Sequence, residues 1–277
     1  MLKKIKNKVL NKENPKINSI VISGCQHIKE ISKNEQLIFR DIKNRLQRNG
    51  AKTIVLFLDS NHMLNESYKG QTFDTRILEK IYFSLLSLVI DNKSFGLILK
   101  PKKMSFFTYF YDKYANLFFK AEKTGRLYIE RDFQFRIPSN YARISDLVLG
   151  IGSDDIPASI LECAILNKPA VIFDYVGLSV EFYSWAKNKV IFQNVEELIS
   201  EIKLFIGHQK TTLGEWDKHI DDYDFFQDKM GYSRVGFYLN TILEKSSNST
   251  LEKFELLECA NEAYSKNYGN EKVIYSD

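Results

Sequence analysis

Short apolar runs alternate with longer helix-period segments along most of the chain. Ile20 to Ser23 reads as a first strand. Glu35 to Arg48 then repeats apolar residues at helical spacing, with Leu37, Ile38, Ile42 and Leu46 on one face and Gly50 as its stop. Thr53 to Leu58 is apolar without alternation, the pattern of a strand covered on both faces. Arg76 to Ile90 is a helix, Gly96 to Leu99 a strand, and Met104 to Glu122 an aromatic-rich helix. Leu127 to Glu130 is a brief strand, Pro138 to Ile144 a short helix with proline near its first turn, and Asp146 to Gly150 a strand. Ile156 to Leu166 is a helix, Ala170 to Phe173 and Val190 to Phe192 are strands, and Val195 to Phe205 is the helix behind them.

Strands and helices in this alternation predict α/β architecture: a single Rossmann-like parallel sheet sandwiched by helices. The pattern changes near residue 208. Glu215 to Asp228 is polar and acidic, and Tyr232 to Glu244 and Leu251 to Tyr264 form a helical C-terminal tail. The expected division is a basic leader at 1–17, the Rossmann-like domain at 18–208, and the acidic loop with its tail, packing on that domain, at 209–277.

Composition narrows the class. The 277 residues are 44% hydrophobic, enough for a packed core. With 39 basic and 35 acidic side chains the formal net charge is only +4, so no nucleic-acid partner is implied. No apolar run approaches the ~20 residues of a membrane span. The leader lacks the apolar stretch of a secretory signal. Its Lys3, Lys4, Lys6 and Lys8 are either solvated or a contact for an anionic membrane surface. Cys25, Cys163 and Cys259 are widely spaced, so a reducing, cytoplasmic location without disulfides or zinc is expected.

Ligands of open parallel sheets bind outside the carboxyl ends of the strands, so the residues after each strand are the candidates. Gly150-Ile151-Gly152-Ser153-Asp154-Asp155 lets the backbone approach a ligand, and Ser153 or Asp155 can cap a helix opening at Ile156 or Pro157. The amides and dipole of that helix start, from Ala158, form a pyrophosphate seat, to which Ser159 adds a hydroxyl. Glu162 can accept hydrogen bonds from sugar or ribose hydroxyls. An ordinary strand–turn–helix join explains the same residues. Lys100, Lys102 and Lys103 follow another strand and either neutralise a diphosphate or are a solvated charge run. Arg131 with Phe133 and Phe135 either frames a base or is a surface loop whose aromatics turn inward.

His27, two residues beyond Cys25, is a candidate general base, though such close neighbours seldom converge. The acidic loop from Asp217 to Asp228 lacks the register of a calcium loop, and no metal site is expected. The stripe Phe106, Phe107, Tyr109, Phe110, Tyr111, Tyr114, Phe118 and Phe119 covers most of its helix, as core with an excess that marks a docking surface. A dehydrogenase is disfavoured: Gly24-Cys25-Gln26-His27 is not a dinucleotide fingerprint, and the acid after the second strand, Asp59, is isolated.

Ser145-Asp146-Leu147-Val148-Leu149-Gly150, the Ile156–Leu166 helix and Asn167-Lys168-Pro169-Ala170-Val171-Ile172-Phe173-Asp174 resemble the donor-binding half of GT-B glycosyltransferases. The likeness is to those of surface polysaccharide and CDP-glycerol-type polymer synthesis, with Asn167 where the family has glycine. Leu99-Lys100-Pro101-Lys102-Lys103 resembles the family's strand end. Phe225-Phe226-Gln227-Asp228 through Arg234, Tyr238 and Leu239 resembles its C-terminal tail, with Gln227 replacing an arginine.

The resemblance implies a nucleotide-diphosphosugar donor, its diphosphate near Gly152 to Ser159, Glu162 on the donor and Ile137 meeting the base through backbone groups. It implies no cofactor or metal, and an enzyme of capsule or related synthesis at the inner face of the membrane. It also implies a second transferase domain or subunit, since the strand count supports one Rossmann unit. A non-catalytic nucleotide-sugar-binding partner of a split transferase and a sugar-nucleotide epimerase-like enzyme are the alternatives.

Overall fold

In a computed structural model of the chain, the structure describes residues 19–25, 28, 31–59, 67–68, 71–72, 75–102, 104–131, 137–152, 157–175, 177, 183–207, 211–248 and 251–275. They fall into two compact units: 31–217, and the segment up to 30 together with 218–277.

The elements in chain order begin with β1 (Ser19–Val21), α1 (Lys33–Arg48), β2 (Thr53–Leu58), β3 (Ser67–Tyr68), β4 (Gln71–Thr72) and α2 (Thr75–Asp91). Then come β5 (Phe95–Lys100), α3 (Met104–Lys113), α4 (Ala115–Lys123), β6 (Leu127–Ile129), α5 (Pro138–Ala142), β7 (Leu147–Gly152) and α6 (Ala158–Ile165). The remainder are β8 (Ala170–Asp174), β9 (Ile191–Phe192), α7 (Val195–Ile206), α8 (Gly231–Asn248), α9 (Lys253–Tyr268) and β10 (Val273–Tyr275).

The larger unit is the expected Rossmann-like α/β domain. Its six strands are parallel, in the order β6-β5-β2-β7-β8-β9. Starting from β2, the chain builds outward to β6, returns to β7 beside β2, and continues to β9. That is the doubly wound 3-2-1-4-5-6 order, whose reversal lies between β2 and β7. Both strands are buried throughout, as their unbroken apolar runs require.

Local chemistry explains the helices. Ser32 and Glu35 form a reciprocal cap that satisfies two amides at the start of α1. Its buried stripe is Phe39, Ile42 and Leu46, whereas Leu37 and Ile38 are 46% and 39% exposed. Ile42 and Leu46 of the expected face are therefore borne out and Leu37 and Ile38 are not: residues i, i+3 and i+7 align on the helix, and Phe39 anchors the row. The aromatic helix is two helices, broken at Tyr114, whose backbone leaves the helical region. The break lets Phe107 and Phe110 on α3 and Phe118 on α4 converge on Tyr82, which also meets Phe57 edge-on at 5.3 Å. Most of the stripe is thus core; Tyr109 and Phe119 stay exposed, and the side chain of Phe106 lies outside the description.

The smaller unit holds what reads in sequence as the first strand of the sheet. β1 pairs antiparallel with β10, more than 250 residues away, and has no place in the parallel sheet. The Rossmann-like unit therefore begins at residue 31 and reaches 217, against an expected 18–208. α8 and α9 pack together, and Tyr264 of α9 donates to the Ile22 carbonyl at 2.7 Å. Its hydroxyl is pushed up to about 12, chiefly by burial.

The tail motif is a clasp within this unit. Arg234 pairs with Asp228, donates to the Ser23 carbonyl at 3.2 Å and stacks on Phe226 at 3.5 Å. Gln227, where the family's pattern has arginine, adopts a left-handed φ of 51° and donates to Asp221. Asp217, at the start of the acidic stretch and within the larger unit, pairs with Lys189 at 2.5 Å.

Candidate functional site: the carboxyl edge of the parallel sheet

Gly152 ends β7 at the strand reversal, fully in the sheet and in register with Asp174 of β8. Both glycines expected in a tight turn are strand residues, and neither has a positive φ. Gly150 is small for another reason: a Cβ there would lie 2.5 Å from Ile160 Cδ1, so its absence lets α6 pack onto β7. α6 opens at Ala158, two residues later than expected, with Pro157 at its cap and no side-chain cap bond. Ser153 and Asp155, expected as caps, lie outside the described residues, as do Lys103 and His27. On α6, Ala158 is exposed, Ser159 half-buried and Glu162 buried. The first-turn amides of a helix lack intrahelical acceptors, so α6 aims donors at this edge.

The neighbouring strand ends carry charge. Lys100 ends β5; burial lowers its pKa and the nearby Glu130 opposes that shift. Glu130, directly after β6, is 1% exposed, and the Tyr128 hydroxyl donates to it at 3.3 Å. Asp59, directly after β2, is buried; its amide donates to the Lys100 carbonyl at 3.3 Å and Tyr82 donates to its carboxylate at 3.1 Å. Burial first, then the charge and hydrogen bond of Asp59, raise the Tyr82 pKa. Asp174 ends β8 fully buried and accepts from the Gly177 amide at 3.0 Å, fastening the following turn.

The structure thus brings Gly152, the start of α6, Lys100 and Ile137, the residue that caps α5, onto elements that open at or lead from this edge. Lys102 is exposed. Arg131 is directed elsewhere: its guanidinium bonds Glu122 at 3.2 Å and lies 5.2 Å from the Tyr111 ring. Glu130 and Asp174 are edge residues that the sequence reading does not single out, and Asp59, which it sets aside as isolated, stands among them. Their signal is positional: Asp59 and Glu130 directly follow a parallel strand and Asp174 ends one.

The motif residues behind the family resemblance have structural work at the opposite, amino edge. Asp146 joins β2 to β7 through reciprocal bonds with Ile54, both 2.8 Å. Ser145 donates to the Tyr141 carbonyl, and Lys168 donates to the Ser145 carbonyl at 3.0 Å. Asn167 has φ 58°; its amide bonds Ala164 and that of Lys168 bonds Cys163, a left-handed helix ending that glycine or asparagine supplies. Cys163 is buried and its pKa is raised by burial, so it is no nucleophile. A separate groove of ≈ 550 Å³ runs between α2 and α7, lined by Arg76, Lys80, Phe83, Glu196 and Lys203; it lies on helix surfaces.

No protein-family model matches the chain, and no curated protein matches it. Among solved structures, it is similar to the wall teichoic acid polymerase TagF, at 12% identity and a TM-score of 0.44. The match covers 77% of this chain and 49% of that one, so the chain spans about half the length of the protein it matches. No helix among the described residues is long and apolar enough to cross a membrane.

Proposed function

We propose that this chain is the donor side of a GT-B-type glycosyltransferase, binding a nucleotide-diphosphosugar for surface polysaccharide synthesis. The observation that carries the reading is the strand order. It puts the reversal between β2 and β7, where β7 runs on past the end of β2 to Gly152, and crevices at such reversals bind nucleotides. The diphosphate sits against the first turn of α6 with Ser159, the helix dipole favouring its charge. Lys100 reaches it from β5, and Glu162 accepts from ribose or sugar hydroxyls. On transfer, the same positive groups stabilise the departing diphosphate. Lys102 extends the basic rim, and the acceptor comes from a second domain or subunit at the membrane's inner face.

Calorimetric and thermal-shift titration against UDP, CDP, GDP and their sugar conjugates tests this. One nucleoside diphosphate is expected to bind, and Glu162→Ala and Lys100→Ala each to weaken it at least about tenfold, or 1.4 kcal/mol. Because burial lowers the Lys100 pKa, binding is expected to fade with rising pH before an ordinary lysine would discharge. Absence of binding by every nucleotide removes the reading. A second reading, a non-catalytic partner subunit, draws on the single large sheet among the described residues and the exposed Leu239 and Leu243 of α8. It predicts donor binding without turnover when the acceptor-side chain is supplied.

A further inference from the structure

The break between α3 and α4 also shapes the surface. Tyr114, where the backbone leaves the helix, turns its hydroxyl to Glu79 of α2 and donates to Oε2 at 2.7 Å. Lys113 donates to the other oxygen, Oε1, at 2.7 Å. The Glu79 carboxylate is thereby fixed in place, its side chain 19% exposed, and it lines the groove of ≈ 550 Å³ between α2 and α7. Lys80 of α2 pairs with Glu196 of α7 at 3.5 Å from one wall to the other. The lining runs from Arg76 to Ser84 on α2 and from Val195 to Lys203 on α7, each a stretch of about 12 Å at 1.5 Å per residue. Among these polar groups Phe83 is 55% exposed, whereas Val195 and Ile199 are buried.

The lining selects a chemical class. Glu79 and Glu196 repel phosphate and carboxylate groups, and Arg76, Lys80 and Lys203 repel a metal ion. A wholly apolar ligand would strip water from charged groups of both signs. A hydroxyl both donates and accepts, and here cationic donors, carboxylate acceptors and the hydroxyls of Ser84 and Ser200 stand side by side. A sugar ring carries such hydroxyls around its rim and C–H groups on its face, and that face fits an exposed aromatic ring. An open trough of this length suits a chain of rings, where a single small ligand needs a more enclosed pocket.

We propose that the groove between α2 and α7 binds an oligosaccharide chain, with one sugar ring on Phe83 and its hydroxyls shared between Glu79 and the Lys80–Glu196 pair. The inference goes beyond the donor reading and stands without it. In a polysaccharide transferase such a groove keeps the growing chain at high local concentration between additions.

The test is saturation-transfer NMR and calorimetry of the full chain with maltohexaose, cellohexaose and chitohexaose, and with glucose as the single-ring probe. At least one hexasaccharide is expected to bind at least about tenfold more tightly than glucose. Phe83→Ala is expected to weaken it at least about tenfold, and Phe83→Tyr, which keeps the ring, to retain it. Glu79→Gln is expected to give a smaller loss of the same kind. Because Phe83 is exposed, its truncation is expected to leave thermal unfolding unchanged, so lost binding is not lost folding. UDP, CDP and GDP are expected not to compete. Binding of none of the three hexasaccharides overturns the inference, as does binding that Phe83→Ala leaves unchanged, that glucose matches or that a nucleotide displaces. The donor reading survives each of those results. A chain that binds sugar at Phe83 and no nucleotide loses the donor reading and keeps this one.

Discussion

Single residues in this chain are chosen by clearances and partners that side-chain type alone does not reveal. Gly150 is the sharpest case. A Cβ 2.5 Å from Ile160 Cδ1 has nowhere to go, because Ile160 is fully buried. Gly150→Ala is expected to destabilise the domain by about 1–3 kcal/mol in denaturant unfolding, with Ile160→Val recovering part of the loss. Asn167 makes the complementary case, a residue whose substitution for glycine is tolerated because asparagine accepts the left-handed region. Asn167→Gly is expected to be nearly neutral, and Asn167→Ala to cost about 1 kcal/mol by thermal unfolding. The same reasoning explains what was legible here. Asn167 and Lys168 stand out as a motif, but only their bonds to Ala164, Cys163 and Ser145 show that the motif builds the fold.

Elements followed local pattern closely. Periodicity located each helix and strand of the parallel sheet within a few residues, because amphipathic stripes and buried apolar runs are local consequences of burial. The exceptions were long-range. Tyr114 breaks the aromatic helix so that three phenylalanines reach Tyr82, a packing requirement absent from any window of sequence. β1 looks like a parallel-sheet strand and is an antiparallel one, since its partner β10 lies at the other end of the chain.

The Arg234 clasp holds the segment just after β1, through the Ser23 carbonyl. Burial acts against ionisation of Asp228, but the hydrogen bond and charge of Arg234 outweigh it and hold that carboxyl below the ordinary range. A depressed carboxyl stabilises the fold above its unfolded value, and that share is lost as pH falls through the folded one. Stability of the β1–β10 unit is therefore expected to fall below about pH 4, and Asp228→Asn to flatten that acid limb.

At the scale of the whole molecule, two compact units predict two local stabilities. Arg234→Ala is expected to speed amide exchange in Ser19–Val21 and Val273–Tyr275, while β2, β5 and β7 keep their protection. Uniform acceleration across both sets would show a single cooperative unit instead.

The amino-acid sequence by itself determined the α/β class, the succession of strands and helices, and the edge where a ligand is proposed to bind. Those follow from burial at periods of 2 and 3.6 residues and from the chain order of parallel strands. Only the tertiary structure decided that the sheet starts at β2 and not at β1. The same holds for the meeting of Asp59 with Lys100 and of Lys100 with Glu130. Each of these turns on which distant segments meet, and pairing across tens to hundreds of residues leaves no periodic trace in the chain.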